Sequence, residues 1–213
     1  AAYAGNLFDL ANLLEKINYK REIIDELRQK ANGLAGRIRK DEWVKINSGY
    51  SFFNGYYDNL SQRVEGDHKN GVRMTLTGQV FPIMSGVATK DQISEIYRSA
   101  KKYLWDPELK GFRLNTDFKE VQPNLGRAFS FAYGEKENGA FFSHMNVMFA
   151  YAFYKRGFAK EGFEVMNSIY NMCLNTKMSR IYPGIPEYFN ADGRGMYNYL
   201  TGSASWLIFT MLT

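Results

Sequence analysis

The chain reads as an all-α, mainly helical protein whose helices pair into an α/α toroid with long site-forming loops. Two observations predict this. Apolar residues recur at helical spacing in successive stretches, and the stretches come as close pairs separated by long segments rich in Gly and Tyr. A third, the 45% hydrophobic content, supplies enough apolar surface for a packed core.

Residues 6–39 read as two helices. Leu7, Leu10, Leu14 and Ile17 mark one apolar stripe, and Ile23, Ile24, Leu27 and Ala31 mark the next. Asn18 stands at the join, and Gly33 and Gly36 are the expected terminators of the second. The period is lost over 47–72, where Gly49 to Asn59 alternates aromatic residues with Gly and Asn. That composition predicts a loop or short hairpin presenting its rings. Helical spacing returns at 75–87 and 91–105, the latter with Asp91 as the candidate N-cap and Glu95 one turn on. Residues 106–143 read as loop with short extended pieces. Helices follow at 144–156 and 159–174, then loop over 175–202, then an apolar helix from about 203. With no low-complexity tract or linker, residues 1–213 read as one domain. The start at Ala1 and the end in the apolar run Trp206–Thr213 give the expectation that it is truncated at both ends.

Composition excludes several classes. The +5 net charge suits an anionic partner, but the densest basic patch (Arg37, Arg39, Lys40) runs straight into Asp41 and Glu42, which argues against nucleic acid. The single Cys173 excludes disulfides and zinc clusters within one chain, and in its apolar helical setting it reads as a buried small hydrophobe. No uncharged apolar run of about 18 residues exists to span a membrane, and no signal peptide is visible, so a cytoplasmic enzyme is the expectation. The 16 Phe, 15 Tyr and 3 Trp fit either an aromatic core or rings that stack on sugars.

Three loop-to-helix junctions carry candidate chemistry. In Tyr199-Leu200-Thr201-Gly202-Ser203-Ala204-Ser205-Trp206, hydroxyls surround a Gly just where a helix begins. First-turn amides and the helix dipole make such a junction an anion site, and an ordinary Thr or Ser cap has the same composition. In Lys136-Glu137-Asn138-Gly139 followed by Ser143-His144-Met145-Asn146, His144 opens a helix, where it either bonds an anion or caps the helix. Glu137 and Asn138 there are suited to sugar hydroxyls. In Pro183-Gly184-Ile185-Pro186 and Asp192-Gly193-Arg194-Gly195-Met196-Tyr197, prolines fix the path and glycines permit close approach of a ligand. Arg194 there is either an anion clamp or a surface arginine. His68, in the charged run Glu65-Gly66-Asp67-His68-Lys69-Asn70, reads as solvated surface.

Taken in order, Glu137-Asn138-Gly139, His144 and Thr201-Gly202-Ser203-Ala204-Ser205-Trp206 resemble the cellobiose and chitobiose phosphorylase family of inverting glycoside phosphorylases. Leu76-Thr77-Gly78-Gln79-Val80-Phe81-Pro82-Ile83-Met84-Ser85-Gly86 resembles a barrel helix of the same family. Gly126–Gly134 and the Gly195-Met196-Tyr197 loop are most similar to the branch of 1,2-β-oligoglucan phosphorylases and cyclic β-1,2-glucan synthases. The resemblance implies an (α/α)6 catalytic barrel, of which this chain is the later part. It implies phosphate binding by His144, Thr201, Gly202 and Ser203, and substrate binding by Glu137, Asn138, Arg194 and Tyr197. It further implies inorganic phosphate as co-substrate with no cofactor or metal. The partners it implies are a β-linked gluco-oligosaccharide and glucose 1-phosphate, with a homodimer as one assembly open to the full-length parent.

The family's general acid Asp has no match among Asp9, Asp58, Asp67 or Asp106, and an expected phosphate-binding arginine is also unmatched. The acid is therefore expected upstream of residue 1, and the isolated 213 residues are expected to be inactive. A synthase domain, a helical-barrel hydrolase and a non-catalytic sugar-binding fragment stand as alternatives.

Overall fold

The structure is a computed structural model that describes residues 1–213 apart from Pro183, Tyr199 and Leu200. Those three, which belong to two of the junctions above, lie outside the described residues. The helices are α1 (Ala2–Lys16), α2 (Arg21–Asp41), α3 (Thr77–Met84), α4 (Lys90–Tyr103), α5 (Ser143–Lys155), α6 (Ala159–Leu174), the short α7 (Thr176–Ser179) and α8 (Gly202–Met211). Short strands lie between them. β1 (Trp43–Lys45) pairs with β2 (Ser51–Phe53), β3 (Gly66–His68) with β4 (Gly71–Arg73), and β5 (Trp105–Asp106) with β6 (Gly111–Phe112). β7 (Phe141–Phe142), β8 (Tyr188–Phe189) and β9 (Gly195–Met196) form a three-stranded antiparallel sheet. The chain is thus mainly helical, with the strands confined to the connections.

Helices α1 and α2 pack as one hairpin and α5 and α6 as another. α5 is also flanked by α3 and α8, and α1 touches α3, so α1, α3, α5 and α8 form one layer. The central position of α5 explains its composition: Val147, Phe149, Ala150, Ala152 and Phe153 are fully buried, with no polar face left to show. They join Val80 and Ile83 of α3, Ile93 and Ile96 of α4, and Val165 of α6 in the main core.

Several boundaries differ from the sequence expectation for identifiable reasons. α2 does not stop at Gly33 or Gly36 but runs on to Asp41. Each glycine costs about 1 kcal/mol relative to Ala in a helix, but Ile24, Ala31 and Ala35 bury against α1 and keep the helix going. The cap of α4 is Thr89, not Asp91. Its hydroxyl accepts from the Gln92 amide (3.2 Å) while Gln92 Oε1 accepts from the Thr89 amide (3.1 Å), a reciprocal box that places Asp91 inside the first turn. The 47–72 region folds as two short hairpins, and Phe52 and Phe53 are buried in the core rather than presented, because β2 packs on α4 and α3. His68 is half-buried and its Nε2 lies 2.8 Å from the Val64 carbonyl. Cys173 is half-buried beside Phe141 and Ile169, and burial pushes its thiol up to about 11. Among the described residues no helix is long and apolar enough to cross a membrane.

Candidate functional site

The N-terminus of α5 and the N-terminus of α8 meet at one histidine. β7 pairs with β8, the Ser143 amide donates to the Glu187 carbonyl (2.9 Å), and the chain turns directly into α5, which places His144 in the first turn. Its ring lies against Gly202, the first residue of α8. A Cβ at position 202 would stand only 2.8 Å from His144 Cε1 and 3.0 Å from Nδ1. Trp206, one turn along α8, flanks the ring at a centroid distance of 5.8 Å. His144 Nε2 is enclosed and makes no hydrogen bond among the described residues. Burial lowers its pKa, so at neutral pH the ring is an uncharged imidazole able to donate one N–H.

Thr201 is the N-cap of α8, in extended backbone conformation, and its hydroxyl accepts from the Ser203 amide at 3.3 Å. The Thr201 and Ser203 hydroxyls lie 3.1 Å apart, and Ser203 is fully buried. The cap expected from composition is therefore present, and it coexists with the anion-site geometry. A helix of ten residues brings its first-turn amides and the positive end of its dipole to the edge of an imidazole whose Nε2 has no partner among the described residues.

A cavity of about 280 Å³ is lined by Gly55, Tyr56, Thr75, Thr77, Asn115, Glu137, Phe142 and Met145 among others. Of its lining, Phe142 and Met145 flank Ser143 and His144 in the chain. Glu137 Oε2 is enclosed with no hydrogen-bond partner among the described residues, and its other oxygen lies 3.7 Å from the Arg127 guanidinium. Arg127 is largely exposed, so that ion pair is weak.

A family model for the glycosyl hydrolase 94 superfamily, catalytic domain, matches residues 4–213. The chain belongs to that superfamily. It is 24% identical over 195 residues to an N,N'-diacetylchitobiose phosphorylase of Vibrio furnissii, a match covering 87% of this chain and 24% of that protein. The chain thus spans about a quarter of that relative. Among solved structures it is similar to an uncharacterized conserved protein of Thermus thermophilus, with a TM-score of 0.60 and 14% identity over 99% of this chain and 44% of the other. It is also similar to the GH63 mannosylglycerate hydrolase of Thermus thermophilus in complex with glucose. There the TM-score is 0.58 with 15% identity, over 99% of this chain and 45% of that one. These structural likenesses support the helical toroid and nothing about chemistry.

In this glycosyl hydrolase 94 chain the remaining candidates fall in different places. Both ends of the Asn138 side chain are engaged: Nδ2 donates to the Phe131 carbonyl (2.7 Å) and Oδ1 accepts from Asn115 Nδ2 (3.0 Å). Asn138 therefore folds the loop that carries Glu137. Glu135 helps, accepting from Tyr188 OH (3.3 Å) and Asn190 Nδ2 (3.1 Å), and Arg113 donates to the Gly139 carbonyl (3.0 Å) while paired to Asp106 at 2.6 Å. Tyr197 follows β9 at the same sheet end as His144. Its carbonyl accepts from the Glu187 amide (3.0 Å), and Lys136 Nζ lies 4.9 Å from its ring centre. Arg194 precedes β9 at the opposite end, in an exposed turn whose backbone is held by Asn190 Oδ1, so the fold does not bring it beside His144. Gly193 and Gly195 admit protein side chains, not a ligand: a Cβ would meet Met178 and Ile181, respectively.

The charged run around His68 hid one further residue. Glu65 is only 4% exposed, and its two oxygens accept from the Gly55 amide and from the Thr75 amide (2.5 Å). Burial pushes its carboxyl up to about 7 against these hydrogen bonds, with no cation paired to it among the described residues. Nothing in the local sequence pattern distinguishes Glu65 from the charged residues that follow it. The lining residues Thr75 and Asn115 gave no sequence signal of their own either.

Proposed function

We propose that this chain forms part of the catalytic barrel of an inverting glycoside phosphorylase acting on β-linked gluco-oligosaccharides, β-1,2-linked by the branch resemblance, and releasing α-glucose 1-phosphate. The observation that carries it is that His144 Nε2, set against the N-terminus of α8, has no hydrogen-bond partner among the described residues. A hydrolase must activate water with a base. A phosphorylase must instead hold an anion in line with the anomeric carbon, and a neutral N–H donor beside a capped helix start suits that task.

On this reading phosphate sits between His144 Nε2, the Thr201 hydroxyl and the first-turn amides at Gly202 and Ser203. The donor sugar occupies the neighbouring cavity, where the Glu137 carboxylate accepts its hydroxyl protons in hydrogen bonds. Phosphate oxygen attacks the anomeric carbon from the face opposite the leaving oxygen, with inversion, while a carboxylic acid protonates that oxygen. On this reading that acid comes from outside these 213 residues, which are expected to be inactive by themselves. Tyr197 and Lys136 form the rim near the anion position. Arg194 requires a loop movement to reach phosphate and is left to the surface.

The test is phosphate release from α-glucose 1-phosphate with glucose or sophorose as acceptor, in the intact enzyme that carries this chain and in its His144→Ala variant. Removal of a donor to a charged oxygen should lower kcat/KM for α-glucose 1-phosphate in glucosyl transfer by about 10²–10³-fold. Hydrolysis of a β-glucan in phosphate-free buffer, with no release from the sugar phosphate, would overturn the reading.

A further inference from the structure

Glu65 lies outside the proposed chemistry, yet it sits directly behind the wall of the sugar cavity. Gly55 and Thr77 line the 280 Å³ cavity on one side and a second cavity, of about 410 Å³, on the other. The second is walled by Ala1, Glu42, Asn54, Tyr57 and Phe81 among others. The two cavities therefore share a narrow ridge built of Gly55 and the Thr75–Gly78 turn. At its crest the backbones touch, and a Cβ on Gly55 would overlap the Gly78 Cα. Thr75 Oγ1 accepts from the Gly78 amide (3.1 Å) and closes the turn.

One carboxyl holds both halves of this ridge from beneath. Glu65 takes the Gly55 amide on one oxygen and the Thr75 amide on the other, and the Glu65 amide donates to Asn54 Oδ1 at 3.2 Å. Two converging N–H donors on two oxygens call for a group that accepts at both ends, and a carboxyl does so where an amide cannot. A buried carboxyl without a counter-ion is costly, so a spacer alone would be better made from apolar atoms. Gly55 and Gly78, whose backbones meet at the crest, have no side chain to replace it.

We infer that Glu65 is a positioning residue for saccharide binding, setting the Gly55–Thr77 ridge at the height that lets one sugar chain lie across both cavities opposite Glu137. This rests on the proposed reading of the cavity as the sugar site. Glu65 touches no substrate, and its effect passes through the Gly55 and Thr75 amides. Phosphate, held on the α5 and α8 side, lies beyond its reach.

The experiment is steady-state phosphorolysis by the intact enzyme and its Glu65→Gln variant, with Glu26→Gln on the exposed face of α2 as control. The Gln amide turns one N–H against another and tilts the ridge. Saccharide KM should rise about tenfold, with phosphate KM and kcat within about threefold of wild type. Equal loss in phosphate and saccharide KM, or no change in either, overturns the positioning role while wild-type activity leaves the site reading intact.

Hydrogen exchange on the unmodified enzyme decides the matter if Glu65→Gln does not fold. Saccharide should slow exchange in segments 53–57 and 74–78 as well as 135–139. Protection at 135–139 alone overturns the role of Glu65. Protection at none of the three overturns the sugar site itself.

Discussion

Gly202→Ala isolates the proposed anion site from the stability of the fold. The added Cβ would lie 2.8 Å from His144 Cε1 and 3.0 Å from Nδ1, where carbon pairs normally rest about 3.5–4.0 Å apart. The helix start itself accepts Ala well, since Gly202 has no left-handed backbone requirement and Ala is the stronger helix former. The strain is thus relieved by the imidazole, which must withdraw by about 0.7–1 Å. A shift of that size takes Nε2 out of hydrogen-bond range of an anion seated on α8. Loss of one hydrogen bond to a charged group is worth about 1.5–3 kcal/mol, or roughly 10–150-fold in phosphate affinity. In phosphorolysis by the intact enzyme, phosphate KM should rise by that factor while saccharide KM and the melting temperature stay near wild type. A phosphate KM within twofold of wild type would refute the contact between His144 and the anion. A matching fall in thermal stability would refute the claim that only the ring moves.

Two further outcomes follow from buried charge. The Glu65 carboxyl is raised from 4.5 to about 7, so its favourable contribution to folding is complete below pH 4.5 and is lost as pH rises through 7. The loss amounts to about 3 kcal/mol. Chemical denaturation of wild type and Glu65→Gln from pH 4 to 8 should show their difference shrinking by about that amount, and a pH-independent difference would contradict it. Arg113→Ala strands Asp106, whose pair is only 16% exposed on each side, and releases the Gly139 carbonyl. Calorimetry should show destabilisation of about 3 kcal/mol, and exchange in 135–139 should accelerate. Unchanged exchange there would mean that the Glu137 loop does not depend on Arg113.

Much of the architecture was legible from period alone. α6 spans Ala159–Leu174 as its spacing predicts, and α5 starts within one residue of expectation, because a helix packed on several sides repeats its apolar residues without interruption. Termination was harder. Gly33 and Gly36 look like stops, but burial against α1 outweighs their propensity, and the box at Thr89 depends on a reciprocal pair rather than on one capping residue.

The functional elements divide in the same way. By itself the sequence determined which residue types stand at helix starts: a histidine opening α5 and a Thr-Gly-Ser opening α8. That these two starts, more than fifty residues apart, share one contact was decided by the packing of α5 on α8, which no local pattern encodes. Glu65 looked solvated because its neighbours are charged, and it is buried because β3 and the turn before α3 close over it. Arg194 read equally as an anion clamp or a surface arginine, and the antiparallel order of β7, β8 and β9 decides for the surface by setting its turn at the far end of the sheet from His144. Composition and spacing report the free energy of short segments. Which segment ends face one another is settled by burial of the whole core, and the proposed anion site is where two of those ends meet.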